Sequence, residues 1–178
     1  MASKSQVSRF LSTLAIAGCL ASGFTPVVLA QGLPGLTIFS GVARENQLGY
    51  RLDFNGRPGF IDRYRLRIPR RKMDAAVSEI RITYPQTYRG SFDTRRIQVK
   101  VNGNVVEIEQ PTWDRENREI MIYPREPIPA DTRVEIVLSN VRNPDNGGTH
   151  YFNVQVQSPG AVPLMRYLGT WIISIGNS

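Results

Sequence analysis

The stretch Arg96-Ile97-Gln98-Val99-Lys100-Val101, then Asn102-Gly103, then Asn104-Val105-Val106-Glu107-Ile108-Glu109 decides how the rest of the chain is read. Apolar and polar residues alternate on both sides of an Asn-Gly pair. Alternation puts successive side chains on opposite faces of a strand, and Asn and Gly both tolerate the positive φ of a two-residue type I′ turn. The expectation is a β-hairpin with strands over 96–101 and 104–109, closed at its far end by Pro111.

The same grammar recurs outward from this hairpin. Tyr50 to Phe54 alternates and is stopped by Asn55-Gly56-Arg57-Pro58-Gly59. The next run, to Pro69, puts Tyr64, Leu66 and Ile68 on one face and Arg63, Arg65 and Arg67 on the other. Glu79 to Tyr84 turns Ile80, Ile82 and Tyr84 inward. Gln86 to Thr94 is polar, carries Gly90, and reads as a loop. Trp113 to Asn117 reads as a tight polar turn leading into a strand over Glu119 to Tyr123, which Pro124, Pro127 and Pro129 end. Arg133 to Leu138 and Tyr151 to Gln157 alternate again, and Leu168 to Ile175 is a last apolar segment holding Trp171. A first strand is expected at Leu36 to Phe39 and at most one short helical turn at Arg70 to Val77. About eight to ten short strands punctuated by Pro and Gly imply an all-β, immunoglobulin-like β-sandwich, with a barrel as the alternative.

The amino-terminal segment has a different character. Lys4 and Arg9 precede an apolar run from Phe10 to Leu20, and Pro26 breaks it before Val28-Leu29-Ala30, a small-x-small cleavage pattern. This reads as a secretory signal peptide over 1–30, cut between Ala30 and Gln31, followed by a disordered tail over 31–35 and one β-sandwich domain over 36–178. A competing reading takes Ile16-Ala17-Gly18-Cys19 as a lipoprotein signal with Cys19 lipidated. The chain after Cys19 stays apolar to Ala30, which suits a continuing signal better than a polar tether. Cys19 is the one cysteine, so the cleaved protein forms no disulfide and rests on its core.

The 178 residues carry a formal charge of +7, which favours anionic partners in a general way. Six of the ten residues from Arg63 to Lys72 are basic: Arg63, Arg65, Arg67, Arg70, Arg71 and Lys72. Three of these project from one strand face and repel one another unless acidic groups lie opposite or an anion binds. Glu107 and Glu109 of the hairpin are the expected counter-charges. Trp113, near Pro111, is the aromatic side chain placed to stack on a sugar ring or a partner. These seven residues are the candidate binding set.

Catalytic constellations are thin. His150 is the one histidine, so zinc and copper sites built from His and Cys have too few ligands within one mature chain. A Ser–His–carboxylate triad would need His150, and no Gly-x-Ser-x-Gly elbow is present. Asp114, Glu116 and Glu119 invite comparison with a glycosidase pair, but Arg115 and Arg118 interleave with them. Asp145-Asn146-Gly147-Gly148 lacks the ligand count of a calcium loop.

Three segments carry a resemblance: Thr37 to Val42 with Tyr50 to Phe54, Arg63 to Pro69, and Tyr167 to Trp171. Together they resemble an exported cyanobacterial family catalogued only as domain of unknown function 2808. The resemblance implies an envelope location, in the periplasm, at the outer surface or in a thylakoid lumen, and transfers no active-site residue. The segment from Leu138 to Val156 is also similar to strands of bacterial immunoglobulin-like modules.

The resulting expectation is a non-catalytic envelope protein without cofactor or metal. Its partner would be an anionic polysaccharide, lipid headgroups or an envelope protein. Nucleic acid is excluded by export, and membrane attachment would require lipidation at Cys19. The alternatives are an assembly factor for a membrane complex and a carboxylate-based glycoside hydrolase.

Overall fold

Ten strands form among residues 41–160 and 164–176, which are the residues the structure, a computed structural model, describes. They are β1 Tyr50–Leu52, β2 Ile61–Ile68, β3 Glu79–Thr83, β4 Ile97–Val101, β5 Asn104–Val106, β6 Thr112–Asp114, β7 Glu119–Ile122, β8 Val134–Arg142, β9 Gly148–Gln157 and β10 Met165–Ile175. The expected signal segment with Cys19, Ala30 and Gln31, the tail after it, and the expected strand at Leu36 to Phe39 lie outside the described residues. All described residues fall within one compact unit, Leu33–Ser178.

The strands make two antiparallel sheets. Sheet I runs β1-β2-β8-β4-β5 and sheet II runs β10-β9-β3-β7-β6. Tyr64, Leu66 and Ile68 of β2, with Val134, Ile136 and Leu138 of β8, are buried in one cluster with Ile80 and Ile82 of β3, Phe152, Val154 and Val156 of β9, and Trp171 and Ile173 of β10. Each such side chain contributes about 1.5–3 kcal/mol when fully buried. Two separate sheets make this a β-sandwich of the immunoglobulin-like class, not a barrel. No α-helix forms among the described residues. The expected helical turn is a 3-10 turn confined to Arg70–Lys72, one of three such turns.

The central hairpin forms as expected and then departs from its pattern. Asn102 and Gly103 have φ of 51° and 95°, and Val99 pairs with Val106 across the turn. The second strand stops at Val106 although alternation continues to Glu109. Beyond it the backbone leaves sheet I: Glu109 donates to the Tyr123 carbonyl and Arg125 to the Glu107 carbonyl, beside sheet II. At the opposite edge Leu48 donates to the Thr170 carbonyl of β10, and Arg67 of β2 donates to the Gly49 carbonyl. On each side of the sandwich a segment thus passes from one sheet to the other and takes up some of the backbone groups there.

A candidate oxyanion site

The six basic residues read as one run separate into two places. Arg63, Arg65 and Arg67 lie on the outer face of β2, while Arg70, Arg71 and Lys72 form the 3-10 turn that follows. On the face, counter-charges come from strands that flank β2. Arg65 donates to Asp53 at 2.9 and 3.1 Å and to Glu135 at 3.4 Å. Arg67 reaches Glu135 at 3.2 Å, and Arg63 and Arg51 both lie 3.6 Å from Asp53. The expected partners Glu107 and Glu109 are displaced from this role because β8 and β4 stand between β2 and β5. The Arg65 guanidinium holds the Asp53 carboxyl below the usual carboxylate range. Lys72 donates to Asn46 at 2.9 Å. The row is a charge lattice between neighbouring strands.

Trp113 is placed differently from the expected exposed turn. It belongs to β6 and is half-buried, and the turn proper is Arg115 to Arg118. Asp114 shapes that turn by accepting from the Asn117 backbone N–H at 2.9 Å and side-chain amide at 2.7 Å, an Asx geometry. The indole Nε1 donates to the Tyr84 hydroxyl at 2.6 Å, and the ring meets Phe92 edge-on with centroids 5.3 Å apart. Over the ring lies Arg115, its guanidinium carbon 4.2 Å from the centroid.

Around Trp113 is a surface pocket of about 440 Å³ bounded by Tyr84, Tyr88, Arg89, Trp113, Arg115 and Arg118 among others, with no carboxylate in its lining. Arg118 sits at φ 57°, a left-handed backbone uncommon for a long side chain, and donates to the Glu116 carbonyl at 3.3 Å. Among the described residues none of Arg89, Arg115 and Arg118 is within ion-pair distance of a carboxylate. Three guanidiniums therefore line one pocket with aromatic rings in its wall. A guanidinium stacked on an indole keeps its in-plane N–H donors free, and its orientation is already restricted before a ligand arrives.

Arg89 enters this site on a loop expected to be simple and polar. Tyr88 and Phe92 of that loop are buried, stacked at 5.5 Å, and pack with Tyr84 and Phe152. Gly90 permits the approach, since a Cβ there would lie 2.5 Å from the Arg142 carbonyl oxygen and 2.6 Å from the Tyr88 ring. The four-residue spacing Tyr84, Tyr88, Phe92 was the available signal in the sequence.

Residues 36–175 match the model of the family described as Protein of unknown function (DUF2808). The chain belongs to that DUF2808 family. No curated protein matches the DUF2808 chain in sequence. Among solved structures it is similar to the bacterial hydrophobin BslA, at 15% identity over 73% of this chain and 97% of that one, with a TM-score of 0.48. It is also similar to the collagen-binding domain of a Staphylococcus aureus adhesin, at 12% identity, 73% and 97% coverage and TM-score 0.41. A Nocardia farcinica protein with an immunoglobulin-like fold matches at 9% identity, 74% and 99% coverage and TM-score 0.38. At these values the likenesses are of outline alone.

In the DUF2808 protein the residues considered for catalysis have structural positions. His150 is buried, edge-on to Tyr88 at 5.2 Å, and neither ring nitrogen has a hydrogen-bond partner among the described residues. Both Asp114 oxygens are committed to Asn117, and Glu119 lies 3.8 Å from Arg81. Among the described residues no three His, Cys, Asp or Glu are grouped to hold a metal ion.

Proposed function

We propose that this DUF2808 protein is an exported, non-catalytic binding module whose Trp113 pocket takes an oxyanion group of an acidic envelope polysaccharide, a carboxylate or a sulfate. The observation that carries this reading is the unneutralised trio Arg89, Arg115 and Arg118 beside an aromatic wall, with Arg115 already stacked on Trp113. A carboxylate, or two oxygens of a sulfate, accepts two parallel N–H bonds from such a guanidinium. The arginines of β2 are weaker candidates because Asp53 and Glu135 already occupy them.

The test is affinity electrophoresis of the full chain through gels containing polygalacturonate, dextran sulfate or neutral dextran. Retardation by the charged polymers alone is expected, with Arg89→Ser/Arg115→Ser weakening it about tenfold, the loss of roughly 1.4 kcal/mol of charge-assisted hydrogen bonding. Arg63→Ser/Arg67→Ser should leave it within about twofold. Equal retardation of the pocket variant, or retardation by neutral dextran, would overturn the assignment. A larger loss in the β2 variant would move the site to the strand face.

A further inference from the structure

The Trp113 pocket leaves unexplained a cluster of exposed apolar side chains between β1 and β2. Phe54, Phe60 and Ile61 are 54%, 56% and 47% exposed, three large apolar residues within eight positions, two on the loop and Ile61 opening β2. Isolated exposed hydrophobics are ordinary, but several in one short stretch offer a contact surface. Phe54 and Ile61 line a surface cleft of about 720 Å³ together with Arg63, Arg95 and Arg96 and with Asp62 and Asp93 at its base. Arg57 lies over the Phe60 ring, 4.3 Å from its centroid.

The charges around this loop are sorted by depth. Asp62 is buried, and the Asp53 and Asp93 side chains are 13% and 17% exposed, while those of Arg63 and Arg95 are 43% and 81% exposed. Asp93 is turned inward by accepting from Asn140 and from the Arg95 backbone N–H. Guanidiniums thus face outward around the apolar tip, with Asp145, beside Arg142, as the exposed carboxylate near them.

Part of the loop backbone is satisfied from within. Asp62 accepts from the N–H groups of Phe54, Gly56 and Arg63. Gly59 donates to Pro144, Phe60 donates to Arg57, and the Phe60 carbonyl accepts from Asn143.

We infer that the tip between β1 and β2 is a docking surface for an anionic lipid bilayer, with Phe54, Phe60 and Ile61 entering the interface and Arg57, Arg96 and the exposed Arg95 meeting headgroup phosphates. Outward cations match anionic headgroups, and apolar burial adds to their attraction. This attachment needs no lipid on Cys19, and it stands independently of the Trp113 site.

The test is co-sedimentation of the full chain with vesicles of phosphatidylglycerol and phosphatidylcholine against phosphatidylcholine alone, beside Phe54→Ser/Phe60→Ser/Ile61→Ser. Both chains keep the same amino-terminal segment, so their difference reports the tip. Preferential binding to the anionic vesicles, weakened about tenfold in the variant, supports the inference. Equal binding of the two chains overturns it. So does self-association of the wild type that the variant abolishes without any vesicle binding, which would make the tip a contact between copies. Should the triple variant fail to fold, Phe54→Trp answers the same question. A blue-shifted emission quenched by brominated anionic lipid supports insertion, and emission unchanged by vesicles excludes it. The tip variant should be retarded by the charged polymers as the wild type is, so this result and the polysaccharide result fail separately.

Discussion

At the scale of single residues, the fold keeps one group whose environment suits only one protonation state. His150 is buried with neither ring nitrogen bonded, and burial pushes its pKa below the ordinary 6.5. The unfolded chain therefore binds the proton more readily than the native one. Stability from this group is intact above about pH 6.5 and falls as the pH drops below it, by at most about 1.4 kcal/mol per pH unit. His150→Phe should flatten that dependence between pH 6.5 and 5, measured as melting temperature against pH. An unchanged slope would place the acid sensitivity elsewhere, for instance at Asp53, whose stabilising ionisation is lost only at lower pH.

At the scale of elements, the Asn102-Gly103 turn offers a clean measurement. A Cβ on Gly103 would meet nothing within 4 Å, yet the residue sits at φ 95°. Gly103→Ala thus adds backbone strain and no clash, with an expected cost of about 1–2 kcal/mol. That corresponds to a fall in melting temperature of about 2–4 °C per kcal/mol in a domain of this size. A neutral result would mean that the turn relaxes in spite of the two hydrogen bonds between Asn102 and Arg133 that hold it. The loop between β3 and β4 behaves in the opposite way. Its polar composition hides two core aromatics, and through Tyr88 and Phe92 it closes one end of the sandwich while presenting Arg89 to solvent.

At the scale of the whole molecule, the two sheets are joined by more than apolar contact. Trp171 of β10 is fully buried, and its Nε1 donates to the Arg67 carbonyl of β2 at 3.1 Å, a bond from sheet II to sheet I. Tyr64 of β2 adds a buried polar contact of its own: its hydroxyl donates to the Asn143 side-chain oxygen and meets the Tyr88 hydroxyl, and burial raises its pKa. Trp171→Phe removes the bond and some volume while keeping an aromatic ring. A loss of about 1–3 kcal/mol is expected from chemical denaturation, because a buried acceptor loses its partner. A loss below about 0.5 kcal/mol would show that packing alone holds the sheets together.

The alternation of Tyr64, Leu66 and Ile68 with three arginines, the Asn-Gly pair, and the Pro and Gly stops by themselves determined that the chain is all-β and which faces turn inward, while the choice of sandwich over barrel came from the pairing of the strands. Those signals are local, because strand period and turn φ depend on residues one to four positions apart. Tertiary structure alone decided which strands are neighbours. That choice gave Arg65 the partners Asp53 and Glu135 in place of Glu107 and Glu109, and turned an exposed row into a lattice. It also brought Arg89, on the β3–β4 loop, to the same pocket as Arg115 and Arg118, and left them without carboxylates. Contacts between residues so far apart in the chain follow from how two sheets pack, and no local period encodes them.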